Sequence, residues 1–151
     1  MKVRIQRLPG AEDLPLPVPA TAGSAGVDLP AAVEGDLVIE PGARALVATG
    51  FRVAIPDGYE GQVRPRSGLA WRHGLTLPNA PGTVDSDYRG ELKVILHNAG
   101  RDPVTVRRGD RIAQLVIAPV ARVRWEEVES LDTTGRGDGG FGHSGGSGEG
   151  A

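Results

Sequence analysis

Seven short runs rich in Val, Ile and Leu, most of them separated by glycine- or proline-containing turn signals, leave this chain little choice but an all-β fold. They occupy residues 3–8, 36–40, 44–55, 60–66, 91–98, 110–120 and 121–128, and many alternate apolar and polar residues with period two. Pro41-Gly42, Pro56-Asp57-Gly58, Pro81-Gly82, Asn98-Ala99-Gly100 and Arg108-Gly109-Asp110 read as the turns between them. Strands at such close spacing predict a sandwich or barrel. Only SGLAWRHG reads as helical, capped by Ser67, stopped by Gly74 and at most two turns long.

The pattern stops near Asp132, and nine of the last seventeen residues are glycine. Residues 1–131 are therefore expected to form a single compact domain and residues 132–151 a mobile tail with no core of its own. Phe141, alone in that tail, needs an apolar partner from elsewhere. At 151 residues the chain has room for one core, and with two Phe, two Tyr and two Trp that core is small enough to point to subunit association.

Composition excludes several classes of function. With no cysteine there are no disulfides, thiolate metal sites or cysteine nucleophiles. The start, MKVRIQRLPG, lacks the apolar centre of a secretion signal, and no apolar run reaches membrane-spanning length, so a soluble cytoplasmic protein is expected. A net charge of −2 argues against nucleic-acid binding, and no membrane partner is expected. The cations are nearly all arginine, with Lys2 and Lys93 the only lysines; arginine forks suit phosphate, but a GC-rich gene would enrich arginine without any functional reason.

Some stretches have compositions that strands do not require. Asp28 stands between apolar residues in AGVDL, an Arg-Ser-Gly turn leads into the short helix, and Gln114 sits inside a strand. Each alone also fits an ordinary cap or a solvated side chain. Residues 79–91, NAPGTVDSDYRGE, are richer: a hairpin here presents backbone donors and acceptors to a planar ligand, with Asp85 and Tyr88 at its end.

Taken in order, AGVDL (25–29), PRSGLA (65–70), NAPGTVDSDYRGE (79–91), GDRIAQLV (109–116) and RGDGGFGHSG (136–145) resemble the five ordered motifs of the trimeric deoxyuridine triphosphate nucleotidohydrolases, the dUTPases. The resemblance implies a jelly-roll-like β-clip domain with one short helix, assembled as a homotrimer whose sites are shared between subunits. It implies hydrolysis of dUTP to dUMP and pyrophosphate with the help of magnesium.

By the same resemblance Asp85 is the general base, and Asp28 and Gln114 hold the metal through its water ligands. Arg66, Ser67 and the backbone N–H of Gly68 take phosphates, joined from the tail by Arg136 and Ser144. Arg64, in the same stretch, is as readily structural. Asn79, with Gly82 and Val84, lies by the base, Tyr88 lies under the sugar, and Lys93 and Gly142 also line the substrate. Phe141 stacks on uracil when the tail closes. His143 departs from the family's usual serine or threonine, leaving Ser144 as the hydroxyl there and offering a different donor to the γ-phosphate. Asp110 and Arg111 are read as a structural ion pair, and His73 and His97 as structural. The alternative is a dCTP deaminase or bifunctional relative of the same fold. Arg136-Gly137-Asp138 also spells an adhesion tripeptide, which the lack of a secretion signal and of cysteines disfavours.

Overall fold

Every strand pair in the computed structural model, which describes residues 1–140, is antiparallel. In chain order the elements are β1 (Arg4–Arg7), β2 (Gly26–Pro30), β3 (Leu37–Ile39), β4 (Arg44–Ala48), β5 (Phe51–Ala54), β6 (Tyr59–Arg64), α1 (Ser67–His73), β7 (Leu75–Thr76), β8 (Gly82–Val84), β9 (Lys93–Asn98), β10 (Val104–Val106) and β11 (Arg111–Pro119). They form pairs β1–β5 and β3–β10, a three-stranded sheet in the order β4-β9-β7, and a four-stranded sheet in the order β2-β11-β6-β8. The expected all-β class with one short helix is what the described residues show. None of their helices is long and apolar enough to cross a membrane.

One apolar core draws a side chain from every strand between β2 and β11, including Leu29, Ile39, Val47, Val53, Val63, Leu75, Val84, Leu96, Val106 and Leu115. Each fully buried aliphatic residue stabilises the fold by about 1.5–3 kcal/mol relative to exposure. Along β9, Val94, Leu96 and Asn98 point inward while Lys93, Ile95 and His97 are less buried. Asn98 is polar yet wholly buried, and its amide is satisfied: Nδ2 donates to Ile39 O and Asp102 O at 2.8 Å, and Oδ1 accepts from Gly100 N–H at 2.9 Å. A second, smaller cluster joins Phe51 to Ala11 and Leu14, and the Arg7 guanidinium lies 5.6 Å from the Phe51 ring centroid.

Four sequence expectations need correction. Ser67 is the first helical residue, while Arg66 occupies the cap position in an extended conformation with no side-chain cap hydrogen bond. The predicted stop holds: Gly74 is left-handed at φ 66°. Gly82 opens β8 rather than closing a turn, and residues 79–91 form no hairpin, because β8, the one strand within them, pairs with β6. Finally, the alternating run at 121–128 forms no strand, because among the described residues no strand pairs with it; Val123, Trp125 and Val128 are left exposed, Trp125 at 93%.

Candidate active site

Antiparallel register assembles the first half of the site. Gln114 on β11 stands directly opposite Asp28 on β2 and, on its other side, opposite Arg64 on β6. Residues paired in this way share one face of a sheet. A carboxylate, an amide and a guanidinium therefore stand in one row, while their neighbours Leu29, Val63 and Leu115 enter the core.

Asp28 is the hub of the row. Its Oδ1 accepts from Arg66 Nε at 2.9 Å and its Oδ2 from Arg111 Nη1 at 3.2 Å. Arg66 Nη1 also donates to Arg111 O at 3.1 Å, and Gln114 Nε2 donates to Pro65 O at 2.9 Å. The residues leading into α1 are thus tied to β2 and β11 from two directions. Arg64 turns along its own strand, Nε donating to Gln62 Oε1 at 3.0 Å.

The expected Asp110–Arg111 ion pair does not form. Arg111 goes to Asp28 instead, whereas Asp110 Oδ2 accepts from the Arg107 N–H at 2.8 Å and closes the turn before β11. Sequence reasoning also passed over Arg72, whose Nη2 comes within 3.1 Å of where a Gly68 Cβ would stand. The signal was present, since residues four apart share a helix face.

The second half of the site lies elsewhere. Val84 turns its side chain into the core, so what it offers a ligand is its backbone, and Gly82 is also buried. Asn79 Nδ2 sits 2.9 Å from where a Gly82 Cβ would stand, which brings the Asn79 amide against this strand. Asp85 follows β8, exposed, and starts a turn in which the Tyr88 N–H donates to Asp85 O at 3.1 Å. Lys93 Nζ stands 4.0 Å from Glu91 Oε2.

Register also measures how far apart the halves are. Gly61 pairs with Val84 and Arg64 with Gln114, so Asp85 stands level with Glu60 at the far end of β6. At about 3.3 Å per residue and 4.8 Å per strand, Asp85 lies about 13 Å along and 10 Å across from Gln114. One chain does not bring the two halves together.

Among the described residues no three His, Cys, Asp or Glu side chains converge to hold a metal directly. In the tail, Arg136 folds back locally, Nε donating to Gly139 O at 2.8 Å. Phe141, Gly142, His143 and Ser144 lie outside the described residues.

A sequence model of the dUTPase family matches residues 12–145. The deoxyuridine 5'-triphosphate nucleotidohydrolase of Anaplasma marginale (strain St. Maries) is 57% identical over 145 residues, covering 96% of this chain and 99% of its own. That of Caulobacter vibrioides (strain NA1000 / CB15N) is 58% identical over 147 residues, covering 96% and 95%. Among solved structures, the Staphylococcus bacteriophage 80alpha dUTPase with dUPNHPP superposes with a TM-score of 0.86 at 26% identity, covering 95% of this chain and 98% of that one. A point mutant of the dUTPase from phage phi11 of S. aureus, solved with coordination of a structural Mg(II) ion, gives 0.78 at 24% identity, covering 88% and 100%, a likeness in fold alone.

Proposed function

The chain belongs to the dUTPase family, whose reaction is hydrolysis of dUTP to dUMP and pyrophosphate, and on that premise we propose how its own residues carry the reaction out. It is a dUTP diphosphatase. The observation that carries this is that the family match, residues 12–145, takes in every stretch the candidate site uses. The relatives named above are called deoxyuridine 5'-triphosphate nucleotidohydrolases, and the deaminase alternative draws no support from them.

Asp85 orients a water and accepts its proton as the water oxygen bonds to the α-phosphorus. The bond from that phosphorus to the bridging oxygen breaks, and pyrophosphate leaves. A positioned base of this kind contributes about 10²–10⁴-fold in rate. Arg66, Ser67 and the Gly68 N–H receive phosphate oxygens, with Arg136 and Ser144 or His143 of the tail at the γ-phosphate. The ties from Arg66 to Asp28 and to Arg111 O fix where that guanidinium can reach. Lys93 and Gly142 complete the lining of the substrate.

The donor set fits a magnesium ion held at one remove. Asp28 and Gln114 are register neighbours, and each oxygen of Asp28 keeps acceptor capacity beyond its arginine bond. Asp28 and Gln114 would hold the ion through its waters, as suits a small cation that dehydrates reluctantly. When bound, the ion neutralises and gathers the triphosphate.

Base choice falls to the backbone of Gly82 and Val84 with Asn79, whose fixed donors and acceptors match the edge of uracil and leave no room for a 5-methyl group. A wrong base leaves buried polar groups unpaired, which discriminates far more strongly than a methyl-sized gap. The Tyr88 ring lies under the deoxyribose, where a 2′-hydroxyl would collide with it. The tail, residues 132–151, closes as a lid, and Phe141 stacks on uracil; such stacking is worth about 1–3 kcal/mol.

A homotrimer with shared sites completes the proposal. Supporting it are the separation of Asp85 from the Asp28 row within one chain and the exposed apolar side chains of Val123, Trp125 and Val128. The cytoplasm is the proposed setting, since a chain with no cysteine makes no use of an oxidising compartment.

The deciding experiment measures pyrophosphate release from dUTP, dCTP, dTTP and UTP, with and without magnesium, together with mass in solution. Magnesium-dependent hydrolysis of dUTP alone by a species of three chains is expected. Full activity in a monomer would overturn the shared site, and deamination of dCTP would overturn the assignment of Asp85 and Tyr88.

A further inference from the structure

The hydroxyl end of Tyr88 lies against a residue that has no side chain. A β-carbon on Gly90 would stand 2.5 Å from Tyr88 Cζ and 2.8 Å from Cε2, and closer still to Oη. Gly90 is not among the glycines with positive φ, so the backbone itself does not demand glycine there. The ring does. Its hydroxyl donates to Glu91 O at 3.0 Å, and the Glu91 carboxylate accepts from the Gly50 N–H at 3.0 Å.

Gly50 is a firm anchor. It turns the chain between β4 and β5 at φ 77°, and a side chain there would meet the Ala11 Cβ at 2.5 Å. The other flank of the loop is braced by Arg89, whose Nη1 donates to Ser86 O and Tyr88 O, both at 2.7 Å. The ring therefore rests beside bare backbone at Gly90, is held at its tip by a carbonyl, and is tied through Glu91 to a rigid turn.

From this we infer that Gly90 and Glu91 are positioning residues that set the Tyr88 ring and thereby the enzyme's preference for deoxyribo- over ribonucleotides. The inference rests on the reading of Tyr88 as the surface under the sugar. Carbon atoms in contact settle at about 3.5–4.0 Å, so an alanine methyl at residue 90 displaces the ring by about 1 Å. A displacement of that size is enough to change rates by about 10²-fold when it falls on a group that orients substrate. Moved off the sugar, the ring no longer meets the 2′-hydroxyl, and the ratio of kcat/KM for dUTP over UTP falls.

The test measures that ratio in the assembled enzyme with magnesium for wild type, Tyr88→Ala, Gly90→Ala and the double variant. Each single change is expected to lower the ratio about 10-fold or more, and Gly90→Ala is expected to add nothing once the ring is gone. A normal ratio in Gly90→Ala alongside a lowered one in Tyr88→Ala overturns the role of Gly90 and leaves the sugar surface standing. A normal ratio in Tyr88→Ala removes the sugar surface and this inference with it. An effect of Gly90→Ala that persists undiminished without the ring overturns it too. Should Gly90→Ala fail to fold, Tyr88→Phe keeps the ring and cuts its tie to Glu91; a fall of about 2–10-fold in the ratio is expected, and an unchanged ratio overturns the tether.

Discussion

Arg66 Nε donates to Asp28 Oδ1 at 2.9 Å, joining the residue that leads into the only helix among those described to the strand at the edge of the four-stranded sheet. Both side chains are about three-quarters buried, at 27% and 25% exposure. The carboxylate thus has two tasks: it fixes Arg66 and it faces the proposed metal waters.

Asp28→Asn keeps the shape and a hydrogen-bond acceptor but loses the charge. The magnesium concentration giving half-maximal activity is expected to rise about 10–100-fold, the usual effect of altering a group that acts on a metal at one remove. A magnesium titration of dUTP hydrolysis measures it, and an unchanged midpoint would remove Asp28 from the metal.

Asp85→Asn separates binding from chemistry. The amide still accepts a hydrogen bond but takes no proton from water at neutral pH, so kcat is expected to fall at least about 10²-fold. Binding of a non-hydrolysable dUTP analogue, followed by calorimetry, should stay close to wild type. Near-normal turnover would assign the proton to another group.

Ending the chain after Thr134 tests the lid. Among the described residues the core and the paired strands lie before that residue, so the oligomer and its melting temperature should persist while hydrolysis is lost by at least about 10-fold. A truncated enzyme of full activity would leave Phe141 without a role.

Away from the site, Arg108 holds Asp13 in a two-pronged ion pair, Nε to Oδ2 at 2.8 Å and Nη2 to Oδ1 at 2.6 Å. That hydrogen bonding lowers the Asp13 pKa from the usual 3.8 to about 2. A carboxylate with a depressed pKa in the folded state contributes stability that is present in full above its unfolded value and lost as pH falls through the folded one. Asp13→Asn should therefore melt below wild type at pH 7, with the gap closing between about pH 4 and pH 2. Thermal melts of both proteins across that range decide it, and a gap that persists undiminished at pH 2 contradicts the assignment.

The sequence by itself determined the all-β class, the faces of several strands and the residue types that carry the chemistry. Period-two alternation names the inward face of β6 and β9 without reference to anything distant, since side-chain direction in a strand is local. Gly74 marked the end of the helix for the same reason, because a left-handed residue is a local demand. The ordered stretches that hold Asp28, Arg66, Asp85 and Gln114 were legible as residue types in sequence.

Tertiary structure decided what those residues touch. Nothing local distinguishes an Arg111 that pairs with Asp110 from one that reaches Asp28, because the choice is made by the register of β11 against β2. The run at 121–128 has the alternation of a strand, yet a strand needs a second row of backbone donors and acceptors, and the described residues supply none beside it. The distance between Asp85 and Gln114 likewise follows from which strands pair and at what offset, contacts between residues far apart in sequence that only the folded chain brings to a definite separation.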